Sequence, residues 1–506
     1  MRRGPLTSVC HLHGTGLPYA PPDQRQRRLV RSSSRWRVGV ARRVALAASL
    51  ALVAAACSSG GTRGPTTDWA TWGFGVERQG FNPHESTIGV SNVDELKQRW
   101  SVELGANIDT AAMVAAGVRV GGKAIDLAYV GTEHGVFYAI DVADGRIVWK
   151  KQFATQTLDC SESPDNIFGI TAGAAIDRRG KRVFVATADG KLHGLDLANG
   201  AEVRGWPVTL TDDPTHEFVL SAPTPWKGLL YVATASHCDI GPYEGRIYGI
   251  NMVTGAKTHT FWITGEGPPL GGSVWGWGGV SVDPRTGDVF AATGNALGPE
   301  NAGYGNHVVR LTAALTPLAS HAPPTVGYDD DFGSTPVLFQ HKGCPPQLAT
   351  MRKHGALYLY NRATIAGGPQ QTVNVSGTPY RLIGVPAFWP EHDLLFVANP
   401  TPPPDGNYTH GMIAFKIGAN CRLELAWQTT AGRNDSVTSA PTIANGVVYY
   451  GDGLGNQLHA FDARTGKRLW SSKPADVRGA LFVAPVVVNG MVLAGAWDGR
   501  LHAWTR

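Results

Sequence analysis

One phrase recurs along this chain and limits its fold more than any other feature. An apolar strand meets a glycine turn, and a second strand ends in a small residue. Then comes x-Asp-x-x-(Thr/Asp/Asn)-Gly, often with a Trp close behind. Residues 128–149 are one copy, with Asp141, Asp144-Gly145 and Trp149. Residues 183–200 follow with Asp196 and Asn199-Gly200, and residues 229–255 with Thr254-Gly255. Residues 447–470 are the cleanest, with Asp462, Thr465-Gly466 and Trp470. Alternation such as Val183-Phe184-Val185-Ala186-Thr187 puts one strand face in a core. The Asn-Gly, Asp-Gly and Thr-Gly pairs supply the positive φ that tight hairpins need. Each copy is thus a meander of short antiparallel strands that must stack on its neighbours to bury its faces.

Such units fall near 126–150, 181–206, 228–262, 279–312, 347–362, 393–427, 446–470 and 490–505. The last stops at Trp504, short of an outer strand. The stretch around Trp100, residues 99–104, has the Trp-then-strand shape seen at Trp149 and Trp427. The pattern predicts an all-β, eight-bladed β-propeller of four-stranded antiparallel blades, its ring closed by this N-terminal strand. Closure removes free sheet edges. Helical spacing is absent, which disfavours a leucine-rich or other solenoid. With 63 Gly, 33 Pro and 17% charged residues in 506, composition also favours strands and tight turns over helices.

The chain begins differently. Arg42-Arg43 precede an apolar run, residues 44–56, that ends at Cys57 and Ser58-Ser59-Gly60-Gly61. A basic region, a short apolar core and small residues describe a secretory signal. A Cys placed there resembles a bacterial lipobox, so Cys57 is expected to carry a lipid and anchor an extracytoplasmic protein at the membrane. Ala54 stands where Leu is commoner. Residues 1–41 are long, Arg-rich and proline-punctuated, as expected of a start site placed too far upstream. The expected organisation is a signal region at 1–57, a tether at 58–67 and a propeller at 68–506. The formal charge of +5 owes much to the leader. No basic stripe with interleaved aromatics suggests nucleic acid.

Export implies an oxidising compartment. Besides Cys10 and Cys57, four cysteines remain: Cys160, Cys238, Cys344 and Cys421. They allow two disulfides in three connectivities. No C-x-x-C-H is present, so no covalently attached c-type haem is expected.

The Asp-x-x-Thr-Gly-x-x-x-Trp phrase resembles the tryptophan-docking motif of the PQQ-dependent alcohol dehydrogenases, the quinoproteins. Residues 69–100, with Asn82-Pro83, Ile88, Asn92-Val93 and Trp100, are similar to that family's first segment. A more specific stretch runs from Trp277 through Asp283-Pro284 to Thr293-Gly294-Asn295. In the family the Trp is the floor under the quinone and the Asn ligates Ca²⁺. Leu220-Ser221-Ala222-Pro223 followed by Ser236-His237-Cys238-Asp239 resembles the segment giving a carboxylate ligand. By that match Asp239 holds the metal and Ser236 a quinone carboxylate. Asp330-Asp331-Phe332-Gly333 resembles the segment of the catalytic Asp, which also faces the metal, and Lys353 falls where the family has a cation beside the quinone oxygens.

The resemblance implies PQQ and Ca²⁺ as cofactors and an alcohol, polyol or sugar as substrate, with electrons passing to an external acceptor. The residue types suit that chemistry. Hard Ca²⁺ takes carboxylate and amide oxygens, Asp331 could accept a proton, and Lys353 could stabilise negative charge. Three departures stand against it. The adjacent cysteine pair of the family is reduced to Cys160. The Arg that grips a PQQ carboxylate has no counterpart before Arg178. Leu220 replaces a Thr. Cys160 could instead pair with Cys238 between neighbouring blades, and Cys344 with Cys421. The simpler readings are a blade-packing Trp277, a turn residue at Asn295, a loop-capping Asp239 and a solvated run at Asp329-Asp330-Asp331. They lead to the alternative function, a non-catalytic lipoprotein that binds protein partners, similar to the scaffold of outer-membrane protein assembly. Propellers host both.

Overall fold

The structure is a computed structural model that describes residues 66–160, 165–298, 302–326, 329–377, 385–434 and 438–506. The signal region with Cys57, and most of the tether, lie outside the described residues.

Blade 1 is the meander Met113–Val120, Lys123–Gly131, Val136–Asp141 and Ile147–Gln152. Six similar blades start at Ala175–Asp177, Thr224–Trp226, Ser281–Val282, Val337–Phe339, Ala387–Trp389 and Thr442–Ala444. Blade 8 takes Val486–Val488, Met491–Gly495 and Arg500–Thr505 from the end of the chain. Its outer strand is Lys97–Glu103, antiparallel to Arg500–Thr505, with Val102 opposite Leu501. The N-terminal strand thus closes the ring, as the repeat predicts. First strands of successive blades lie against each other and line the axis. Phe81–Asn82 adds a parallel fifth strand to blade 7, beside Thr442–Ala444.

The recurring residues explain the stacking. The Asp of the phrase caps its own turn: Asp196 Oδ1 accepts the Ala198 N–H at 2.9 Å, and Asp462 Oδ1 that of Arg464 at 2.9 Å. The following glycine has positive φ, +77° at Gly145 and +73° at Gly466. It also leaves room for the preceding blade's Trp. A Cβ on Gly145 would lie 2.8 Å from the Trp100 ring, and one on Gly466 2.5 Å from the Trp427 ring. Each indole N–H then donates across the seam. Trp100 bonds to the Val142 carbonyl at 3.0 Å, Trp149 to Leu197 at 3.0 Å, and Trp427 to Ala463 at 3.2 Å. Trp470 of blade 7 reaches the Leu96 carbonyl, at the start of the closing strand, at 3.1 Å. Both faces of the middle strands are consequently buried; every residue of Val447–Asp452 is buried.

Two disulfides add to this. Cys160–Cys238 ties the loop after blade 1 to blade 3, and Cys344–Cys421 joins blades 5 and 6. These are the pairings raised by the departure from the family's adjacent cysteine pair. Thr67, the last residue of the expected tether, exchanges two 2.9 Å hydrogen bonds with the Asn489 side chain.

Candidate functional site

The residues singled out in the sequence meet at one end of blades 3–5. Asp239 lies between the second and third strands of blade 3, and Asn295 leaves the second strand of blade 4, Val289–Ala292. Asp331 precedes the first strand of blade 5, Val337–Phe339. Lys353 sits in the hairpin between Gln347–Met351 and Ala356–Asn361. In an antiparallel meander these four positions share one end of the sheets.

Asp331 is 2% exposed. Its Oδ1 lies 2.9 Å from Lys353 Nζ, and its Oδ2 accepts the Trp275 indole N–H at 2.7 Å. Lys353 Nζ also pairs with Asp329 at 2.5 Å and sits 5.0 Å from the centre of the Trp275 ring. Burial pushes the Asp331 carboxyl up to about 6, against the pull of Lys353 and the Trp275 N–H, while Asp239 adds to the rise. Burial alone would lower Lys353, but Asp331 and Asp329 outweigh it and hold the ammonium above its ordinary range. The pair is therefore a carboxylate poised near neutrality beside a permanent cation.

Next to it, Asn295 Nδ2 donates to Asp239 Oδ2 at 2.9 Å, and Tyr243 donates its hydroxyl to Asp239 Oδ1 at 2.7 Å. Burial, then Asp239, raise the Tyr243 phenol well above its usual range, so it stays a donor. Cys238 and Asp239 both have φ +51°, a left-handed conformation that side chains disfavour. The Cys160–Cys238 bond pins this segment at its first residue. Asn295 Oδ1 is buried and has no hydrogen-bond partner among the described residues. Gly294 is packed closely: a Cβ there would collide with Ser273 Oγ and lie 3.0 Å from Asp331 Oδ2. Among the described residues no group of three or more His, Cys, Asp or Glu converges on a metal position. Asp239, Asp331 and the unpaired Asn295 Oδ1 do supply oxygen donors of the kind that a hard cation such as Ca²⁺ takes.

The structure also places the remaining sequence candidates and tests the simpler reading of the acidic run. Trp277 packs half-buried against the core, and its carbonyl accepts the Ala222 N–H at 2.9 Å. Trp275, two positions earlier, reaches the Asp331–Lys353 pair. The signal was present as two tryptophans flanking Gly276, but residue order does not say which ring turns to the site. Ser236 donates to carbonyls of its own loop, His237 and Ile240, both at 3.2 Å. The acidic run is not a solvated face, because Asp330 and Asp331 are buried.

A second buried acidic group went unnoticed in the sequence. Asp109, ahead of blade 1, accepts the Trp497 indole N–H and, at 3.2 Å, the Asn107 amide. Glu133, in the middle hairpin of blade 1, accepts the Thr171 hydroxyl at 2.7 Å and the Gly169 N–H at 2.9 Å. Burial pushes Asp109 up to about 6. Burial, then the neighbouring Asp109, push Glu133 up to about 8.

A closed eight-bladed ring carrying, at one end, a cation-paired carboxylate against an indole defines the class: a propeller of the quinoprotein type. Residues 69–379 match the family described as the glucose/ethanol/alcohol dehydrogenase β-propeller domain, and the chain belongs to that family. Residues 424–505 match the family described as outer membrane protein assembly factor BamB. A polyvinylalcohol dehydrogenase of a Pseudomonas species is 22% identical over 329 residues, 57% of this chain and 48% of that protein. A quinohemoprotein alcohol dehydrogenase of Pseudomonas putida is 24% identical over 254 residues, 45% of this chain and 33% of its own. These matches span less than half the length of either relative.

Among solved structures, the quinohemoprotein alcohol dehydrogenase from Comamonas testosteroni superposes with a TM-score of 0.66 at 16% identity. That match covers 87% of this chain and 80% of the other. BamB from Moraxella catarrhalis gives a TM-score of 0.54 at 17% identity, over 81% and 100%. At such identities the likeness is one of fold.

Proposed function

We propose that the chain is an extracytoplasmic PQQ- and Ca²⁺-dependent dehydrogenase that oxidises an alcohol, polyol or sugar and passes electrons to a separate carrier. The observation that carries this reading is Asp331, buried, near neutral in pKa and held between Lys353 and Trp275. The names of the two relatives, alcohol and polyvinylalcohol dehydrogenases, favour an alcohol.

Asp239, Asp331 and Asn295 Oδ1 would hold the metal, and the Trp275 face would lie against the quinone. Bound PQQ and Ca²⁺ would supply the redox chemistry, with the ion as Lewis acid. The chain's own part is proton handling and charge. Asp331, largely ionised at neutral pH, takes the hydroxyl proton of the substrate. Lys353 keeps it ionised in a buried setting and offers a fixed positive charge for negative charge developing nearby. Tyr243 holds the Asp239 carboxylate in place. Lipid attachment at Cys57 would tether the enzyme to the membrane. A Cys57→Ser form that stays membrane-associated would refute that part.

The test is titration of the purified chain from Ser58 onward with PQQ and Ca²⁺, followed by dye-linked oxidation of an alcohol panel. Saturable stabilisation is expected, with turnover that falls about 10²-fold or more in Asp331→Asn. Full turnover in that variant would exclude Asp331 as the base.

One observation favours a second reading, a protein-binding scaffold: the last two blades match the BamB description. Failure of PQQ to stabilise the chain would favour it.

A further inference from the structure

The acidic run Asp329-Asp330-Asp331 and the basic run Arg352-Lys353-His354 face each other, and their partners alternate. The middle residue of the basic run, Lys353, grips the two ends of the acidic run, at 2.5 Å and 2.9 Å. The middle residue of the acidic run, Asp330, grips the two ends of the basic run. Its Oδ1 is 2.5 Å from His354 Nδ1, and its Oδ2 is 3.6 Å from Arg352 Nη1. The alternation arises in loops rather than in a strand: Lys353 and His354 lie in the hairpin turn, and Asp329 has φ +58°. One side of the seam faces Trp275; the other does not touch it.

That second side is anchored more firmly than an ion pair needs. The Arg352 side chain is fully buried, donates to the carbonyls of Pro323 at 3.1 Å and Pro324 at 2.9 Å, and lies 5.0 Å from the Phe332 ring centre. Asp330 Oδ2 also accepts the Val326 N–H at 2.8 Å. The Lys353 N–H donates to the Asp331 carbonyl at 3.1 Å, so the two runs are joined along the backbone as well. Neither Asp330 nor Arg352 contacts the Trp275 side of the site.

We infer that Asp330 is a positioning residue: with Arg352 and His354 it forms the back half of an interlock that fixes where Lys353 and Asp331 stand. The catalytic side of this inference rests on the dehydrogenase reading; the interlock itself does not. A lysine on a flexible four-carbon stem has many rotamers. Reaching Asp329 and Asp331 together requires the hairpin to stay in register with the acidic run, and Asp330 sets that register.

The test measures both halves on the intact chain. Acetylation of Lys353 by an amine-reactive ester is followed by peptide mass spectrometry in wild type, Asp330→Asn and His354→Gln. Asp393→Asn, which removes a separate ion pair to His341 at 2.9 Å, is the control. Lys353 should react about fivefold faster in the first two variants and unchanged in the control, with thermal midpoints within a few degrees. His354→Gln keeps the test decisive if Asp330→Asn folds poorly. An unchanged Lys353 rate in both overturns the interlock. In the PQQ-loaded protein, kcat should fall at least tenfold with substrate KM little altered. Faster labelling in a protein whose wild type shows no PQQ-dependent turnover would sink the dehydrogenase reading and leave the interlock standing.

Discussion

Two buried carboxylates at the same end of the propeller receive the same help and meet different fates. Asp331 accepts an indole N–H from Trp275, and Asp109 accepts one from Trp497. Burial raises both to about 6. What differs is the next neighbour. Asp331 has Lys353 at 2.9 Å, whereas Asp109 has Glu133. A cation keeps the first carboxylate charged in a site that would otherwise neutralise it. A second carboxylate forces the other pair to share protons, as two like charges in one dry pocket must. The first carboxyl is thus held charged by its neighbour, and the second pair is held partly protonated by its own.

The largest effect should come from removing the cation. Lys353→Met leaves Asp331 buried without its main charge partner. Breaking a buried pair from one side costs about 3–5 kcal/mol, and Asp331 should titrate above its present value of about 6. The denaturant midpoint should fall, and any pH–rate profile should move to higher pH. A profile that stays put would mean that Lys353 does not control the base. Asp331→Asn in the same background should restore part of the stability, because no lone charge remains.

Glu133→Gln tests the other side and should act in the opposite direction. Asp109 and Glu133 have folded values near 6 and 8, above ordinary carboxylates near 4. The folded state therefore binds more protons between these limits. The contribution of the pair is fully present below about pH 4 and is lost as pH rises through 6 and then 8. Gln keeps the Thr171 bond but cannot accept the Gly169 N–H, which costs about 1 kcal/mol. Above pH 8 the gain from removing the charge should exceed this, leaving the variant more stable than wild type. Urea melts from pH 5 to 9 would show a flatter stability curve. A wild-type curve that is already flat would refute proton sharing.

This contrast also marks what a sequence can carry. Blades 1, 6 and 7 carry their own docking Trp at Trp149, Trp427 and Trp470, so the ring and even its closing strand at Trp100 could be read locally. Asp239, Asn295, Asp331 and Lys353 could be placed because they follow short motifs in fixed order. The choice between Trp275 and Trp277 could not, because Gly276, Gly278 and Gly279 leave the backbone path open. Asp109 and Glu133 look like ordinary loop acids in separate segments, and only the ring brings them together. Ser236 shows the converse: a matching motif whose hydroxyl bonds to its own loop.

The smallest effects come from the shared feature, the two indoles. Trp275→Phe and Trp497→Phe each keep an aromatic ring and delete one N–H. A hydrogen bond to an ionised group contributes about 1.5–3 kcal/mol, and one between neutral groups nearer 1. At pH 7.5 Asp331 and Asp109, each raised to about 6, are both largely charged, and the proton that the second pair still holds is on Glu133. Trp275→Phe and Trp497→Phe should therefore each cost about 1.5–3 kcal/mol at that pH. Lowering the pH to 5 protonates both carboxyls and should bring each loss nearer to about 1 kcal/mol. The Trp497 variant has a packing term of its own, since that ring meets Phe482 edge-on at 4.6 Å. The pH dependence of each loss, measured by denaturant melts of both variants, is thus the sharper reading. If neither loss shrank between pH 7.5 and 5, the two indoles would not be bonded to carboxylates that titrate near 6.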